Sequence, residues 1–363
     1  MIDRKQIQEI DWILIGLLLV NSFIGIALVY SSSHYLPGNF FFRQILWILI
    51  SLVILFLTIS IDYKMLLTYA PYILGFFALV LLGLLAFGRT IGGARSWIRL
   101  AFLGGQPSEL AKIAVLLVLA RIFSEFRRPY LTAGFAALSA AVVIVTVGLV
   151  ALQPDLGTAV TYLPLLLACF LLAGLRRKTV IVFFILALAV GLAGWNFMLK
   201  DYQKKRLTTL VNPSQDPRGS GYHILQSKIA IGSGGLFGKG YKKGSQSQLK
   251  FLPARHTDFI FSVLGEEFGF AGVLVVFFSY FLFLSRIFKT VPKSRDRPGM
   301  YIVFMVACLV GFEFLVNVMM IVGLFPIAGI PMPLLSYGGS SILTTFIAVG
   351  LVLNVKMRRF ANV

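Results

Sequence analysis

The sequence predicts an all-α polytopic membrane protein with ten transmembrane helices. Hydrophobic residues make up 58% of the 363-residue chain, and its 33 phenylalanines exceed what the core of a soluble domain could hide. Apolar runs of about 20 residues, the length that a bilayer requires, recur along the chain. These runs lack the two-residue alternation of a transmembrane barrel. Helices are therefore the expected way to satisfy backbone hydrogen bonds in lipid.

Taken in order, the ten runs predict ten helices in one transmembrane domain, 1–363. They cover residues 12–32, 43–61, 68–87, 107–123, 133–151, 156–174, 178–199, 259–288, 300–324 and 338–356. The first run has no small-residue cleavage site and is expected to remain as an uncleaved helix. The longest extramembrane piece is a loop at about 200–258, between the seventh and eighth helices.

Basic residues set the orientation. They crowd one set of short connections, near 4–5, 64, 121–128, 176–178, 286–297 and 356–359, whereas the opposite short connections carry only Arg43, Arg89, Arg95 and Arg99. The positive-inside rule then places both termini in the cytoplasm and the 200–258 loop outside. Part of the net charge of +19 is explained in this way, so no nucleic-acid partner is inferred. Residues 92–109 are expected to lie at the outer interface as a Trp- and Arg-containing anchor.

Few ionisable residues fall inside the apolar runs, and each needs a partner or a function because a charge is costly in the bilayer. Glu109 and Lys112 are three residues apart and can pair on one helix face, either as a structural ion pair or as the lining of a polar cavity. Asp155 precedes a predicted helix, where it can cap backbone N–H groups. Glu313 and Asn317, four residues apart on the ninth predicted helix, are expected to hydrogen-bond across helices.

The most informative stretch is QSQLKFLPARHTDFIF, residues 246–261, where a basic loop meets an apolar helix. Asp258 stands at that boundary and is the candidate catalytic residue, as a general base or as a metal ligand; a plain helix N-cap is the alternative. Arg255 can bind phosphate through its planar guanidinium, and His256 is a candidate proton carrier or phosphate donor. Among the lysines and arginines of the loop, this acid marks a candidate site for a lipid-linked diphosphate.

Other familiar sites are absent from the sequence. Residues 232–239 resemble a phosphate loop, but Ser233 replaces the first glycine and Gly240 replaces the final Ser or Thr. The SYGGSS run at 336–341 does not match a serine hydrolase elbow. The three histidines lack metal-ligand spacing, and Cys169 and Cys308 both lie in apolar runs.

Five blocks together resemble the SEDS family of bacterial cell-shape, elongation and division membrane proteins. They are QPSELAKIA at 106–114, QPDLGTA at 153–159, GYHILQSKIAIGSGGLFGKG at 221–240, QSQLKFLPARHTDFIF at 246–261 and NVMMIVGLFPIAGIPMPLLSYGGSS at 317–341. The QSQLxFLPxRHTDF form is closer to the elongation branch than to the division branch. Ala254 stands where relatives often carry Glu.

The resemblance implies a ten-helix glycosyltransferase of the bacterial cytoplasmic membrane that polymerises lipid II into glycan strands on its outer face. The essential aspartate of the family falls on Asp258. Polar cavity residues of the family fall on Glu109, Lys112 and Asp155, which become substrate-binding candidates with Arg255 and His256. A class B penicillin-binding protein and other membrane proteins of the elongation complex are the implied partners. A divalent cation, Mg²⁺ or Mn²⁺, is implied by the resemblance alone.

Two other functions stay open on the sequence. A lipid II flippase would use Glu109, Lys112, Asp155 and Glu313 to line a path for a charged headgroup. A scaffold without enzymatic activity would use its apolar helix faces to position and activate a transpeptidase. For the polymerase, Asp258 would take the proton of an acceptor hydroxyl while Arg255, Lys112 and loop lysines stabilise the departing diphosphate.

Overall fold

The computed structural model describes residues 8–34, 36–91, 94–100, 103–126, 130–174, 181, 201–212, 216, 219–249, 251–252 and 254–360. Within these ranges, nine of the ten predicted spans are helical. The prediction at 178–199 lies outside them except for residue 181. The helices are α1 (Trp12–Ser33), α2 (Phe40–Ser60), α3 (Tyr63–Phe87), α4 (Pro107–Ser124), α5 (Ala133–Leu152), α6 (Leu156–Val160), α7 (Leu163–Ala173), α8 (Asp201–Val211), α9 (Ser220–Ser233), α10 (Ser245–Gln248), α11 (Ile260–Phe288), α12 (Arg297–Ile321) and α13 (Gly339–Met357).

Eight stretches of the described chain are long and apolar enough to cross a bilayer, so this is a multi-pass membrane protein. The helix α4 is not among them because it carries Glu109, Lys112 and Arg121. The predicted sixth span is interrupted and consists of α6 and α7. The third span begins at Tyr63 rather than at 68, because the Asp62 side chain accepts a hydrogen bond from the Lys64 amide, 2.9 Å, and caps the helix earlier.

The fold is mostly helical, but it is not strictly all-α. Residues 89–105, which overlap the interfacial anchor predicted at 92–109, contain three short antiparallel strands: β1 (Arg89–Ile91), β2 (Ala94–Leu100) and β3 (Leu103–Gly105). Arg89 lies opposite Trp97, and Ile98 lies opposite Gly105. The segment is too short and too basic to span lipid, so its backbone groups pair between strands instead. The all-α prediction was wrong at this point.

The helices α12 and α13 form the centre of the bundle. Buried residues make up 83% of the α13 span but only 17% of the α3 span, which places α3 at the periphery. The helix α13 packs against α2, α4 and α12, and α12 also packs against α4, α7 and α11. Large apolar side chains such as Phe76 and Leu79 point outward from α3, as a lipid-facing helix requires.

Ion pairs gather the basic chain segments at one end of the bundle. Asp11 pairs with Arg286 at 2.8 Å and with Lys356 at 2.5 Å, and Arg358 lies 3.4 Å from Asp62. Burial of Asp11 is outweighed by these two partners, so the pKa of its carboxyl is lowered. Among the connections predicted to share one side of the membrane, those near 64, 286–297 and 356–359 therefore do share one end of the protein. That this side is the cytoplasm stays a prediction.

A kink in α11 holds residues 235–240 of the 200–258 loop close to the start of that helix. Gly269 has φ +65°, a conformation that favours glycine, and interrupts the helical hydrogen bonds. The freed carbonyls of Glu266 and Glu267 accept hydrogen bonds from the amides of Lys239 and Gly240, 3.0 and 2.9 Å. The loop is thus anchored about two turns beyond Asp258.

Candidate active site

A cavity of about 610 Å³ opens at the end of the bundle opposite the ion pairs of Asp11. Its wall is contributed by β2, the start of α4, α6, α8, the turn before α11 and the segments around 325–331 and 337–341. Most of the lining is apolar. The polar side chains that line it include Gln106, Glu109, Asp155, Thr158, Gln203, Arg206, Asp258, Ser340 and Ser341. A small number of polar groups in an apolar pocket is typical of a ligand site.

Asp258 lines this cavity, where the turn 254–259 leads into α11. The alternative of a plain N-cap fails, because Phe259 occupies the N-cap position and no side chain caps the helix there. Burial raises the pKa of the Asp258 carboxyl to about 6, against the opposing effects of a hydrogen bond from Thr257 and the charge of Arg206. A carboxyl with such a pKa is still mostly ionised at neutral pH and accepts protons more readily than an ordinary aspartate.

Among the side chains that the structure describes, Arg206 is the one Arg or Lys that lines the cavity, and the sequence did not single it out. It lies on α8 and donates a hydrogen bond to the Ile327 carbonyl, 3.2 Å. Arg206 is one of eleven basic residues in the 200–258 loop, so its charge alone did not distinguish it from the others. The available signal was helical spacing: Gln203, Arg206 and Leu207 lie three and four residues apart, share one face of α8, and all line the cavity.

Arg255 is placed differently from its predicted role. Its side chain is buried, 3% exposed, and donates hydrogen bonds to the backbone carbonyls of Ser247 and Gln248 rather than lining the cavity. From the other side, the Glu266 carboxylate accepts hydrogen bonds from the amides of Gln246 and Ser247, 2.8 and 2.9 Å. Arg255 therefore holds the loop against the turn of Asp258, which argues against direct contact with a diphosphate.

His256 is likewise turned away from the cavity. Its ring packs between Phe40 and Tyr337, with centroid distances of 4.6 and 5.7 Å. Burial and the charge of Arg255 lower the pKa of His256 to about 4, so the ring is neutral at pH 7. Its Nδ1 atom has no hydrogen-bond partner among the described residues. A neutral, packed imidazole does not suit the predicted role of proton carrier.

Glu109 and Lys112 form the predicted pair at 2.8 Å, and Glu313 completes it at 2.5 Å from the same ammonium group. Lys112 is fully buried and does not line the cavity, whereas Glu109 does. Both readings of the pair thus hold in part: it is a structural ion pair, and one of its members faces the cavity. The expected hydrogen bond of Glu313 across helices is confirmed.

Asp155 caps α6, as predicted, by accepting a hydrogen bond from the Thr158 amide at 3.2 Å. Its other oxygen accepts from the Thr158 hydroxyl at 3.1 Å and from the Gln106 amide group. Burial raises the pKa of Asp155, against these hydrogen bonds from Thr158. Because Asp155 also lines the cavity, capping and substrate contact are compatible. Gln106 and Thr158 are further cavity residues that the sequence did not single out.

The residues that the structure describes contain no group of three or more His, Cys, Asp or Glu side chains placed to hold a metal ion. Glu109 is already paired with Lys112, and Asp155 with Gln106 and Thr158. The divalent cation implied by the resemblance stays a prediction, and no chemical step below passes through it.

The chain is similar to a known protein family over nearly its whole length. The family model described as cell cycle protein, FtsW/RodA/SpoVE, matches residues 7–360. Peptidoglycan glycosyltransferase MrdB of Escherichia coli K12 is 38% identical over 317 residues, covering 87% of this chain and 85% of that protein. Peptidoglycan glycosyltransferase RodA of Treponema pallidum is 33% identical, covering 98% and 99%. The probable peptidoglycan glycosyltransferase FtsW of Trichlorobacter lovleyi is 36% identical, covering 96% and 94%.

Solved structures show the same fold. One chain, from a structure described as "Structural coordination of polymerization and crosslinking by a peptidoglycan synthase complex", superposes with a TM-score of 0.83 at 35% identity, covering 97% of this chain and 99% of that chain. The rod shape determining protein RodA of Thermus thermophilus gives a TM-score of 0.73 at 31% identity, covering 97% and 98%. The names of the curated relatives confirm the predicted enzyme class, a glycosyltransferase. The chain therefore belongs to the FtsW/RodA/SpoVE family, which is the SEDS family that its motifs resemble.

Proposed function

We propose that this protein polymerises lipid II into glycan strands on the outer face of a bacterial cytoplasmic membrane. One observation carries the proposal: Asp258, a carboxylate with a pKa of about 6, lines a largely apolar cavity together with the cation Arg206. A base and an anion-binding group in one membrane-level cavity are what glycosyl transfer from a lipid diphosphate requires.

In the proposed reaction, a hydroxyl oxygen of the acceptor sugar attacks the anomeric carbon of the donor sugar. Asp258 takes the proton of that hydroxyl, a new glycosidic C–O bond forms, and the bond from the anomeric carbon to the diphosphate oxygen breaks. The electron pair leaves with the polyprenyl diphosphate. Arg206 stabilises that charge as it develops, because a guanidinium binds phosphate oxygens in a fixed, two-pronged geometry.

The rest of the cavity suits the two ends of a lipid-linked sugar. Gln106, Asp155 and Glu109 provide hydrogen-bonding groups for sugar hydroxyls. Leu207 and Phe325 belong to the apolar part of the wall, which is suited to the first isoprene units. A polymerase built in the membrane can in this way bind a headgroup without extracting its lipid.

The geometry favours a polymerase over a flippase. Lys112, which a headgroup path would need, is fully buried between Glu109 and Glu313. Moving a charged headgroup past it would break two ion pairs in a low-dielectric interior. The relatives named peptidoglycan glycosyltransferases support the polymerase as well.

We further propose that the protein serves cell elongation and works with a class B penicillin-binding protein that crosslinks the strands. The QSQLxFLPxRHTDF form of residues 246–259 supports the elongation branch, although relatives named RodA and FtsW are of similar identity. The similar chain from a complex that coordinates polymerization and crosslinking supports the partner. In the topology that we propose, the protein has ten transmembrane helices and both termini lie in the cytoplasm.

The test is polymerisation of lipid II by purified protein, alone and with its transpeptidase partner, comparing wild type, Asp258→Asn and Asp62→Asn. Asp62 lies at the other end of the bundle as a helix cap, a role that Asn fills equally well. We expect Asp258→Asn to abolish polymer and Asp62→Asn to keep it. Polymer of equal length from Asp258→Asn would refute the role of Asp258. Transport of labelled lipid II without polymer would support a flippase, and rescue of cell shape by Asp258→Asn would support a scaffold.

A further inference from the structure

Three consecutive backbone carbonyls of the turn that carries Asp258 are held by one other segment of the chain. The His256 carbonyl accepts a hydrogen bond from the Tyr337 amide, 2.8 Å. The Thr257 carbonyl accepts from the Ser336 hydroxyl, 2.6 Å. The Asp258 carbonyl accepts from the Asn317 side-chain amide, 3.1 Å. All three donors belong to the motif block 317–341.

Two of these donors are side chains, and each makes a second hydrogen bond to the same neighbouring segment. The Asn317 amide group also donates to the Ile330 carbonyl, 2.8 Å, and the Ser336 hydroxyl accepts from the Met332 amide, 2.9 Å. Each side chain thus ties the turn of Asp258 to residues 330–332. Gly329, just before that segment, and Pro331, within it, line the cavity.

The turn needs such support because little holds it locally. Its internal backbone hydrogen bonds run from the amides of Thr257 and Phe259 to the Ala254 carbonyl, 3.1 and 3.4 Å. Ala254 itself has φ +46°, a strained conformation for a residue with a Cβ atom. The carbonyls of residues 256–258 face the motif block and would lack protein partners without it.

Neither side chain is placed to touch a substrate. Asn317 is fully buried, Ser336 is 2% exposed, and neither lines the cavity that Asp258 faces. Their effect on chemistry must therefore pass through the backbone of the turn. A shift of about 1 Å in a reacting group can cost about a hundredfold in rate.

We infer that Asn317 and Ser336 are positioning residues, which hold the Asp258 carboxylate in its place in the cavity by fixing the backbone carbonyls of residues 257 and 258. The inference rests on the proposed function, because it takes Asp258 as the base. It also gives a role to the motif block 317–341, the longest of the five blocks, to which both residues belong.

The experiment compares Asn317→Ala and Ser336→Ala with two control variants that lose similar buried hydrogen bonds elsewhere. Asn354 is fully buried and donates to the Thr58 carbonyl, 2.7 Å, near the opposite end of the bundle. Ser22 is 2% exposed and donates to the Leu18 carbonyl, 2.8 Å. The controls are Asn354→Ala and Ser22→Ala. Ser336→Thr, which keeps the hydroxyl, is the rescue variant.

Kinetics on lipid II and the temperature of unfolding are measured for every variant. We expect Asn317→Ala and Ser336→Ala to lower kcat by about 10- to 100-fold with KM changed less than about twofold. Ser336→Thr should restore most of kcat. Asn354→Ala should unfold at a lower temperature, and both control variants should keep kcat.

Other results would overturn the inference. It fails if kcat is unchanged in Asn317→Ala and Ser336→Ala, if the controls lose kcat equally, or if KM alone rises. Should Asn317→Ala not fold, Ser336→Ala and Ser336→Thr decide the question. An inactive Asp258→Asn alongside fully active Asn317→Ala and Ser336→Ala would refute this inference and leave the proposed function standing, whereas an active Asp258→Asn would refute the function itself.

Discussion

Lys112 and Glu313 are 201 residues apart in the chain and form an ion pair of 2.5 Å inside the bundle, with Glu109 as a second carboxylate 2.8 Å from the same ammonium group. The pair joins α4 to α12 next to the cavity. The three side chains together comprise two buried acids and a single base. Lys112 is therefore the group whose loss leaves the most uncompensated charge.

Replacing Lys112 with Met should therefore destabilise the protein strongly. Leaving buried carboxylates without a partner typically costs about 3–5 kcal/mol in the free energy of unfolding. Denaturant titration of the protein in detergent measures this free energy of unfolding. The matched control is Lys64→Met, because Lys64 is largely exposed and lies 3.9 Å from Asp296, and a surface pair contributes about 0–1 kcal/mol. Equal losses in the two variants would contradict the prediction.

The polymerisation rate should fall as the pH is lowered through about 6. Asp258 acts as a base only when ionised, and burial raises the pKa of its carboxyl to about 6. Below that pH each unit should lower kcat/KM by about tenfold. The pH–rate profile of the wild type measures this effect. A profile that stays flat down to pH 4.5 would show that a group with an ordinary aspartate pKa, or no carboxylate, limits the reaction.

Asp258→Asn should be more stable than the wild type at neutral pH. The pKa of Asp258 is raised in the folded state from 3.8 to about 6, so the folded state binds the proton more tightly than the unfolded state. That contribution to stability is present below pH 4 and is lost as the pH rises through 6. The neutral amide of Asn does not suffer this loss, so Asp258→Asn should raise the free energy of unfolding by about 1–3 kcal/mol at pH 7. Thermal unfolding at pH 7 and pH 4 checks it: the gain should vanish at pH 4.

Arg206 and Arg255 should give different defects when replaced. Arg206→Ala should lower kcat by about 100-fold, because in the proposed reaction it removes the charge that stabilises the departing diphosphate. The temperature of unfolding should change little, because the hydrogen bond from Arg206 to the Ile327 carbonyl is only partly buried. Lys204→Ala, on the same helix but outside the cavity lining, is the control. Kinetics on lipid II and thermal unfolding are measured for each variant.

Arg255→Ala should instead lower stability by about 1–3 kcal/mol, since it leaves the carbonyls of Ser247 and Gln248 without their partner. Its KM for lipid II should stay near that of the wild type. A large rise in KM with unchanged stability would instead support the direct diphosphate contact that the sequence predicted for Arg255.

Several features could be predicted because they depend on local pattern alone. The length of each apolar run predicted its helix, and the three-residue spacing of Glu109 and Lys112 predicted their pair. Asp155 was recognised as a helix cap from its place before a helical run. Asp258 was recognised as the candidate base from its neighbours and from the family motif, and it does line the cavity.

The strands at 89–105, the second partner of Lys112 and the cavity role of Arg206 were not predicted. All three depend on which segments meet in space. Glu313 reaches Lys112 from a helix that lies 201 residues away, and Arg206 is one of eleven basic residues in its loop. Arg255 and His256 look like site residues because they precede Asp258, but a tight turn sends successive side chains in different directions.

The sequence by itself determined that this protein crosses the membrane many times, where most of the helices lie, and which acid stands where lipid gives way to water. Hydrophobic length and charge decide those features residue by residue. Only the tertiary structure decided which side chains share the cavity and which brace it. The direction of a side chain depends on the turn that carries it and on partners drawn from distant parts of the chain.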